Sequence, residues 1–193
     1  RMASDFPLQL DIDYPEDSNR LTVLFRLILA IPILIVAALI TASHSGIQTL
    51  APAAMILFRQ KYPRWLFDWN LMLTRFNARI GAYLLLLQDD YPSTDEEQSV
   101  HLDFPYPDVE NDLNRWMPLF KWILAIPHYI VFILLLIGAL IAVVVAWFAV
   151  LITGKMPPGL FDYLVGVMRY GTRIELYAFM LTTDEYPSFS INE

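Results

Sequence analysis

Phe67-Asp68-Trp69-Asn70-Leu71-Met72-Leu73-Thr74-Arg75-Phe76-Asn77-Ala78-Arg79 and Phe161-Asp162-Tyr163-Leu164-Val165-Gly166-Val167-Met168-Arg169-Tyr170-Gly171-Thr172-Arg173 are one stretch written twice. At a helical step of about 100° per residue, an Asp and two Arg at relative positions 0, 7 and 11 fall within roughly 40° of one another. A helix carrying Asp68, Arg75 and Arg79, or Asp162, Arg169 and Arg173, thus shows one polar stripe. The first copy has a second polar face, Asn70, Thr74 and Asn77, whose places in the other copy are Leu164, Met168 and Gly171. Helices so nearly apolar all round suit a protein interior or a membrane boundary, and both are read as interfacial amphipathic helices.

The duplication extends outward from this stretch. Asn19-Arg20-Leu21 and the run 24–32 are mirrored by Asn114-Arg115-Trp116 and 119–127, so the chain is a tandem repeat with halves near 1–97 and 98–193. No formally charged side chain occurs in 27–58 or 122–154. Each run exceeds 30 residues, whereas one span needs about 20, so each is a hairpin of two spans or one steeply tilted helix. Ser43-His44-Ser45-Gly46 near the middle of the first run favours a hairpin, and internal symmetry extends that reading to the second, where only Gly138 stands as a breaker. Four transmembrane helices are expected. Pro32 and Pro127 recur inside the first span of each half, as tolerated kinks or, on a sharper reading, gating hinges.

Arg20, Arg26, Arg59, Lys61 and Arg64 flank the first run, Arg115, Lys121 and Lys155 the second, and neither expected tip carries a Lys or Arg. The positive-inside rule then places both termini and both stripe helices in the cytoplasm. Alternating apolar residues over 6–15 and 100–107 read as strands closed by proline, and Ser188-Phe189-Ser190-Ile191 is a third trace of that pattern. Periodicity leaves 82–88 and 178–183 open between helix and strand. The fold class is mainly α and integral to the membrane. Each half has an extended strand, a helical hairpin and a stripe helix, with a small cytoplasmic sheet formed by any strands that pair.

Composition sets the exclusions. Of 193 residues, 56% are hydrophobic and 17% charged, too apolar for an ordinary soluble domain. The net charge of −7 leaves no basic field for nucleic acid. Cysteine is absent, and His44, His101 and His128 lie far apart, so no thiol chemistry or local metal-ligand motif is present. The acidic N-terminal stretch lacks the apolar core of a cleavable signal, and none is expected. No phosphate-cradling glycine loop or nucleophile-base motif appears, and no catalytic residue, cofactor or metal is expected.

The run 147–162, with Arg169, Arg173, Tyr177 and Asp184-Glu185-Tyr186-Pro187, resembles a bacterial membrane family known as domain of unknown function 4389. The run 58–70 with Arg75, Arg79, Ala82-Tyr83 and Tyr91-Pro92 is similar to the same module, so two matches cover nearly the whole chain. The resemblance implies a duplicated integral membrane module of the bacterial cytoplasmic membrane and no mechanism. Glu175 and Thr182-Thr183 depart from a pattern that is usually apolar there, and the first copy lacks Thr-Gly.

Two guanidinium groups one turn apart repel by roughly a few tenths of a kcal/mol, so each stripe expects a counter-anion. Three compete: internal carboxylates, either Asp68 or Asp162 two turns back or the strand ends Asp11, Asp13 and Asp103; the phosphate of anionic lipid; and a bound anionic substrate. Structural ion pairs are the commonest of these near an interface. The recurrent tyrosines, and Trp65, Trp69, Trp116 and Trp122, are read as interfacial anchors. His128 is read as a neutral imidazole bonded to a backbone carbonyl. The functional expectation is a non-catalytic membrane module. It would assemble with itself or within a larger complex, with anionic lipid head groups as partners. A small channel or carrier built by duplication is the alternative.

Overall fold

Asn19 and Asn114 open the two halves alike. The Asn19 side chain accepts from the amides of Leu21 at 3.0 Å and Thr22 at 3.4 Å, and Asn114 accepts from Trp116 at 3.0 Å. Both satisfy donors that a helix start leaves orphaned. The computed structural model describes residues 6–192, and of 42–48 the helical backbone alone, so the His44 side chain lies outside the described residues. In the first half, strand β1 (Gln9–Ile12) is followed by helices α1 (Arg20–Leu24), α2 (Arg26–Arg59) and α3 (Arg64–Leu84). The second half has strand β2 (Val100–Asp103), a 3-10 turn (Met117–Leu119), α4 (Lys121–Leu124), α5 (Ile126–Thr153), α6 (Pro158–Ile174) and a π-helical turn (Glu175–Phe179).

Neither apolar run is a hairpin: the first lies within α2, and the second is α5 preceded by the short α4. The 34 residues of α2 and 28 of α5 make rods of about 50 and about 40 Å at 1.5 Å per residue. In place of the four helices expected from two hairpins there are two long ones, of which α5 is long and apolar enough to cross a membrane. The reason is local: a lone glycine costs a helix only about 1 kcal/mol, and neither run holds the clustered breakers that would stop propagation. Gly138 is a packing glycine, since a Cβ there would run into Tyr163 Oη. The basic residues flanking each run therefore lie at opposite ends of a rod, and the charge asymmetry that placed both termini on one side is lost. Pro127 sits in the first turn of α5, where a missing N–H breaks no bond, and α2 runs through Pro32 without a break.

The stripe helices are not laid in a separate plane. They fold back along the first halves of the rods: Ile33 of α2 packs with Leu73, Phe76 and Ile80 of α3, and Tyr163 Oη of α6 donates to Leu135 O of α5 at 3.0 Å. The strands pair antiparallel, one from each half, with Leu10 opposite Leu102. The halves interleave elsewhere too. Trp147 Nε1 donates to Val23 O at 3.1 Å, Ser18 N to Gly154 O at 2.9 Å, and Arg115 Nη2 to Phe58 O at 3.0 Å. The lead-in to each rod thus docks on the far end of the other.

Residues 82–88 and 178–183 finish the helices and form no strand. Leu86 and Leu181 take positive φ of 63° and 60° at matching places, and Leu87 N reaches Ala82 O at 2.8 Å, closing a Schellman turn. Glycine is usual there. Burying a leucine side chain is worth about 1.5–3 kcal/mol, enough to offset the left-handed penalty of about 1–2 kcal/mol, and both leucines are buried. The third strand trace, 188–191, is no strand either but lies against α6, where a Cβ on Gly166 would sit 2.7 Å from Ile191 O. Gly166→Ala is expected to cost about 1–3 kcal/mol and to free the C-terminal segment to proteolysis, which thermal unfolding and limited digestion would read.

Of α5 only His128 near its start and a narrow stripe, Ala139, Ala142, Ala146 and Val150, are buried, while Ile133, Leu134, Ile137, Leu140, Ile141 and Val144 are among its exposed apolar side chains. This helix is long and apolar enough to cross a membrane, with mean hydropathy 3.2 over its best window, 17% of which is buried. In α2, two shorter apolar lengths, Arg26–Thr41 and Thr49–Arg59, flank 42–48.

Candidate functional site

All four stripe arginines are bound within the chain. Arg169 donates through Nε to Leu10 O at 2.6 Å and pairs through Nη2 with Asp11 at 2.6 Å. Arg75 does the same on the other strand, with Leu102 O at 2.8 Å and Asp103 at 3.3 Å. Each stripe helix thereby holds the strand of the opposite half. Arg79 donates to Ser93 O at 2.8 Å and Thr94 O at 3.1 Å, and Arg173 to Ser188 Oγ at 2.7 Å and to Ser190 O, so each clasps the segment trailing its own half.

Asp68 and Asp162 are not their partners. Two helical turns put about 10 Å of rise between Asp68 and Arg75, beyond direct contact. Asp68 instead meets Arg64 at 3.2 Å on the surface, and Asp162 is exposed without an ion pair among the described residues. Arg169→Lys would keep the charge but lose the fork that serves carbonyl and carboxylate together. The expected cost is about 1–2 kcal/mol in thermal or denaturant unfolding.

A second symmetric pair lies at the start of the rods. Arg26, 2% exposed, meets Asp89 at 2.6 Å, donates to Tyr83 O at 3.2 Å and to Gln88 O, and lies 4.2 Å from the Tyr83 ring. Lys121, 1% exposed, meets Asp184 at 2.6 Å, donates to Thr183 O at 2.6 Å and lies 5.3 Å from the Tyr177 ring. Burial pulls the Lys121 ammonium below its usual range, and Asp184 pushes it back up. Asp89 and Asp184 also accept from the amides of Asn19 and Asn114. Sequence reasoning took these cations for flanking charge. The signal was present, since a cation opens each apolar run and an acid-acid-Tyr-Pro element closes each half.

Of the recurrent tyrosines read as anchors, Tyr62, Tyr83 and Tyr177 are buried, so an interfacial belt does not describe them, and Tyr170 is buried as well. Tyr62 accepts from Asn70 Nδ2 at 2.9 Å and donates to Met180 O at 3.0 Å, tying the first half's extra polar face to the turn that ends the second half. Tyr14 and Tyr106, half exposed, donate to Met156 O and Tyr62 O. His128 meets the Tyr170 hydroxyl at 2.7 Å in place of a backbone carbonyl and stacks on Phe189, with ring centroids 4.2 Å apart. On the outer face of the sheet, His101 bridges Glu97 at 2.9 Å and Asp13 at 3.0 Å, and both carboxylates hold its pKa up.

Between the halves lies a cavity of about 620 Å³, reached by Thr74 and Asn77 of α3, Phe132 and Leu136 of α5, Thr172 of α6 and Glu175 of the π-helical turn. Burial among apolar groups pushes the Glu175 carboxyl up to about 7. Among the described residues no three His, Asp or Glu gather where a metal ion could sit.

Fold and clamps define a duplicated, mainly helical module with one apolar helix of membrane-crossing length. The chain belongs to the family described as Domain of unknown function (DUF4389), whose model matches residues 20–94 and again 115–190. No curated protein and no solved structure matches it.

Proposed function

We propose that this chain is a non-catalytic, membrane-embedded assembly module of the bacterial cytoplasmic membrane. Its rods α2 and α5 are immersed in lipid, and its arginine stripes serve as internal clamps. The observation that carries the reading is the contrast between the apolar face of α5, left uncovered over most of its circumference, and the stripe arginines, all of which are turned inward. A monomer rarely leaves so large an apolar surface to water. With the stripes engaged, contact with anionic head groups falls to Arg59, Lys61 and Arg64, exposed at the end of α2 beside exposed Trp65. The exposed rod faces are where a second copy or a larger complex would pack.

The test is membrane integration. A charge at the centre of a spanning helix costs about 2.5–3.5 kcal/mol, so Val144→Arg should shift the chain from the carbonate-resistant membrane fraction to the soluble or degraded fraction. Lys155→Ala should leave it in place. If Val144→Arg stayed fully integrated, α5 would not be a lipid-immersed span. A channel or carrier remains the second reading, favoured by the polar groups in the central cavity. Solute flux in vesicles that stopped on Asn77→Phe would select it.

A further inference from the structure

The central cavity is furnished unevenly. Its polar side chains among the described residues are Thr49, Thr74 and Asn77 from the first half and Tyr129, Thr172 and Glu175 from the second, against walls that include Phe132, Leu136 and Val167. The place matching Glu175 in the first half is Gly81, and the place matching Asn77 in the second is Gly171. Neither polar group is therefore required by the duplicated architecture. Glu175 lies in the π-helical turn, a distortion often found at functional sites, which carries α6 into the Schellman-like end at Leu181. No ion pair or side-chain hydrogen bond reaches its carboxylate among the described residues, and its displaced pKa has burial as its one cause. Among the described residues Tyr129 is the only other titratable side chain lining the space.

A carboxyl group set alone in an apolar cavity large enough for a small molecule lacks one thing, a cation whose remainder is apolar. We infer that the cavity binds a lipophilic amine, its ammonium on Glu175 with Asn77, Thr74 and Thr172 as hydrogen-bonding neighbours, and its hydrocarbon part along Phe132, Leu136 and Val167. The inference stands on the cavity alone and does not depend on the rods crossing a bilayer.

The probes are octylammonium and octanol, which share a chain and differ in charge. Each is titrated calorimetrically into the full-length chain in lipid nanodiscs, with the heats of empty nanodiscs subtracted. Octylammonium is expected to bind at least tenfold more tightly than octanol at pH 8, and to lose about tenfold on going to pH 6 as Glu175 takes up a proton. Glu175→Gln should abolish both the preference and the pH dependence while still binding octanol, which shows that the cavity has kept its shape. Asn77→Phe, at a side chain that makes no hydrogen bond among the described residues, should fill the space and weaken both probes. Equal binding of the two probes by the native chain, or octylammonium binding unchanged in Glu175→Gln, would overturn the inference.

Discussion

Lys121→Ala is expected to lower the stability of the folded chain by about 3 kcal/mol, the lower end of what removing one partner of a buried ion pair costs. The lower end applies because Lys121 is 1% exposed but Asp184 is 22% exposed, so water can partly solvate the stranded carboxylate. The loss goes beyond the pair, since Thr183 O forfeits its donor and the Tyr177 ring its cation. Adding Asp184→Ala should recover part of it, because no charge is then left without a partner. The matching cycle at Arg26 and Asp89 should behave alike, and chemical unfolding in mild detergent would read both. Strict additivity of the two single losses would mean that the pair is not coupled.

Glu175→Gln should act in the opposite direction, increasingly as pH rises above about 4.5. The carboxyl has a folded pKa of about 7 against 4.5 when unfolded, so between these values the folded chain holds the extra proton. Native stability therefore falls as pH rises from about 4.5 to about 7, by up to about 3 kcal/mol. Glutamine cannot ionise, so the variant should be more stable than the native chain by up to that amount at pH 8 and indistinguishable from it near pH 4. His101 slopes the same way, because its raised pKa gives stability below its usual range that is lost as pH climbs through the raised value. That part persists in the variant. Thermal unfolding at a series of pH values would separate the two, and an unchanged difference between native chain and variant at pH 4 and pH 8 would contradict the placement of Glu175.

The repeat was legible because duplication leaves matched residues in register, and the two strands because alternation marks a sheet face, whereas their pairing with each other came only with the fold. Hairpin against rod was not. Both give a long uncharged run, and what separates them is whether Ser43-His44-Ser45-Gly46 and Gly138 stop a helix, which a lone glycine does not force. The two strand carboxylates, Asp11 and Asp103, were among the anions named for the stripes. The carbonyls of Leu10, Leu102, Ser93 and Ser190 were not, because main-chain acceptors carry no residue signature. The Lys121 and Arg26 clamps went unread for a related reason: a cation at the end of an apolar run looks the same whether it faces head groups or an aspartate more than sixty residues away. Glu175 stood out as a departure from its family pattern, but only the fold shows that it opens on a cavity.

The central claim is that each apolar run is a single rod in lipid, and the absence of cysteine permits a direct measurement. Single cysteines placed in turn along 126–153 of the membrane-embedded chain would be probed with a membrane-impermeant maleimide from either side. Labelling confined to the two ends, with residues 138–141 protected from both sides, is the expected result. Rapid labelling at 138–141, as a hairpin tip in water would give, would contradict it.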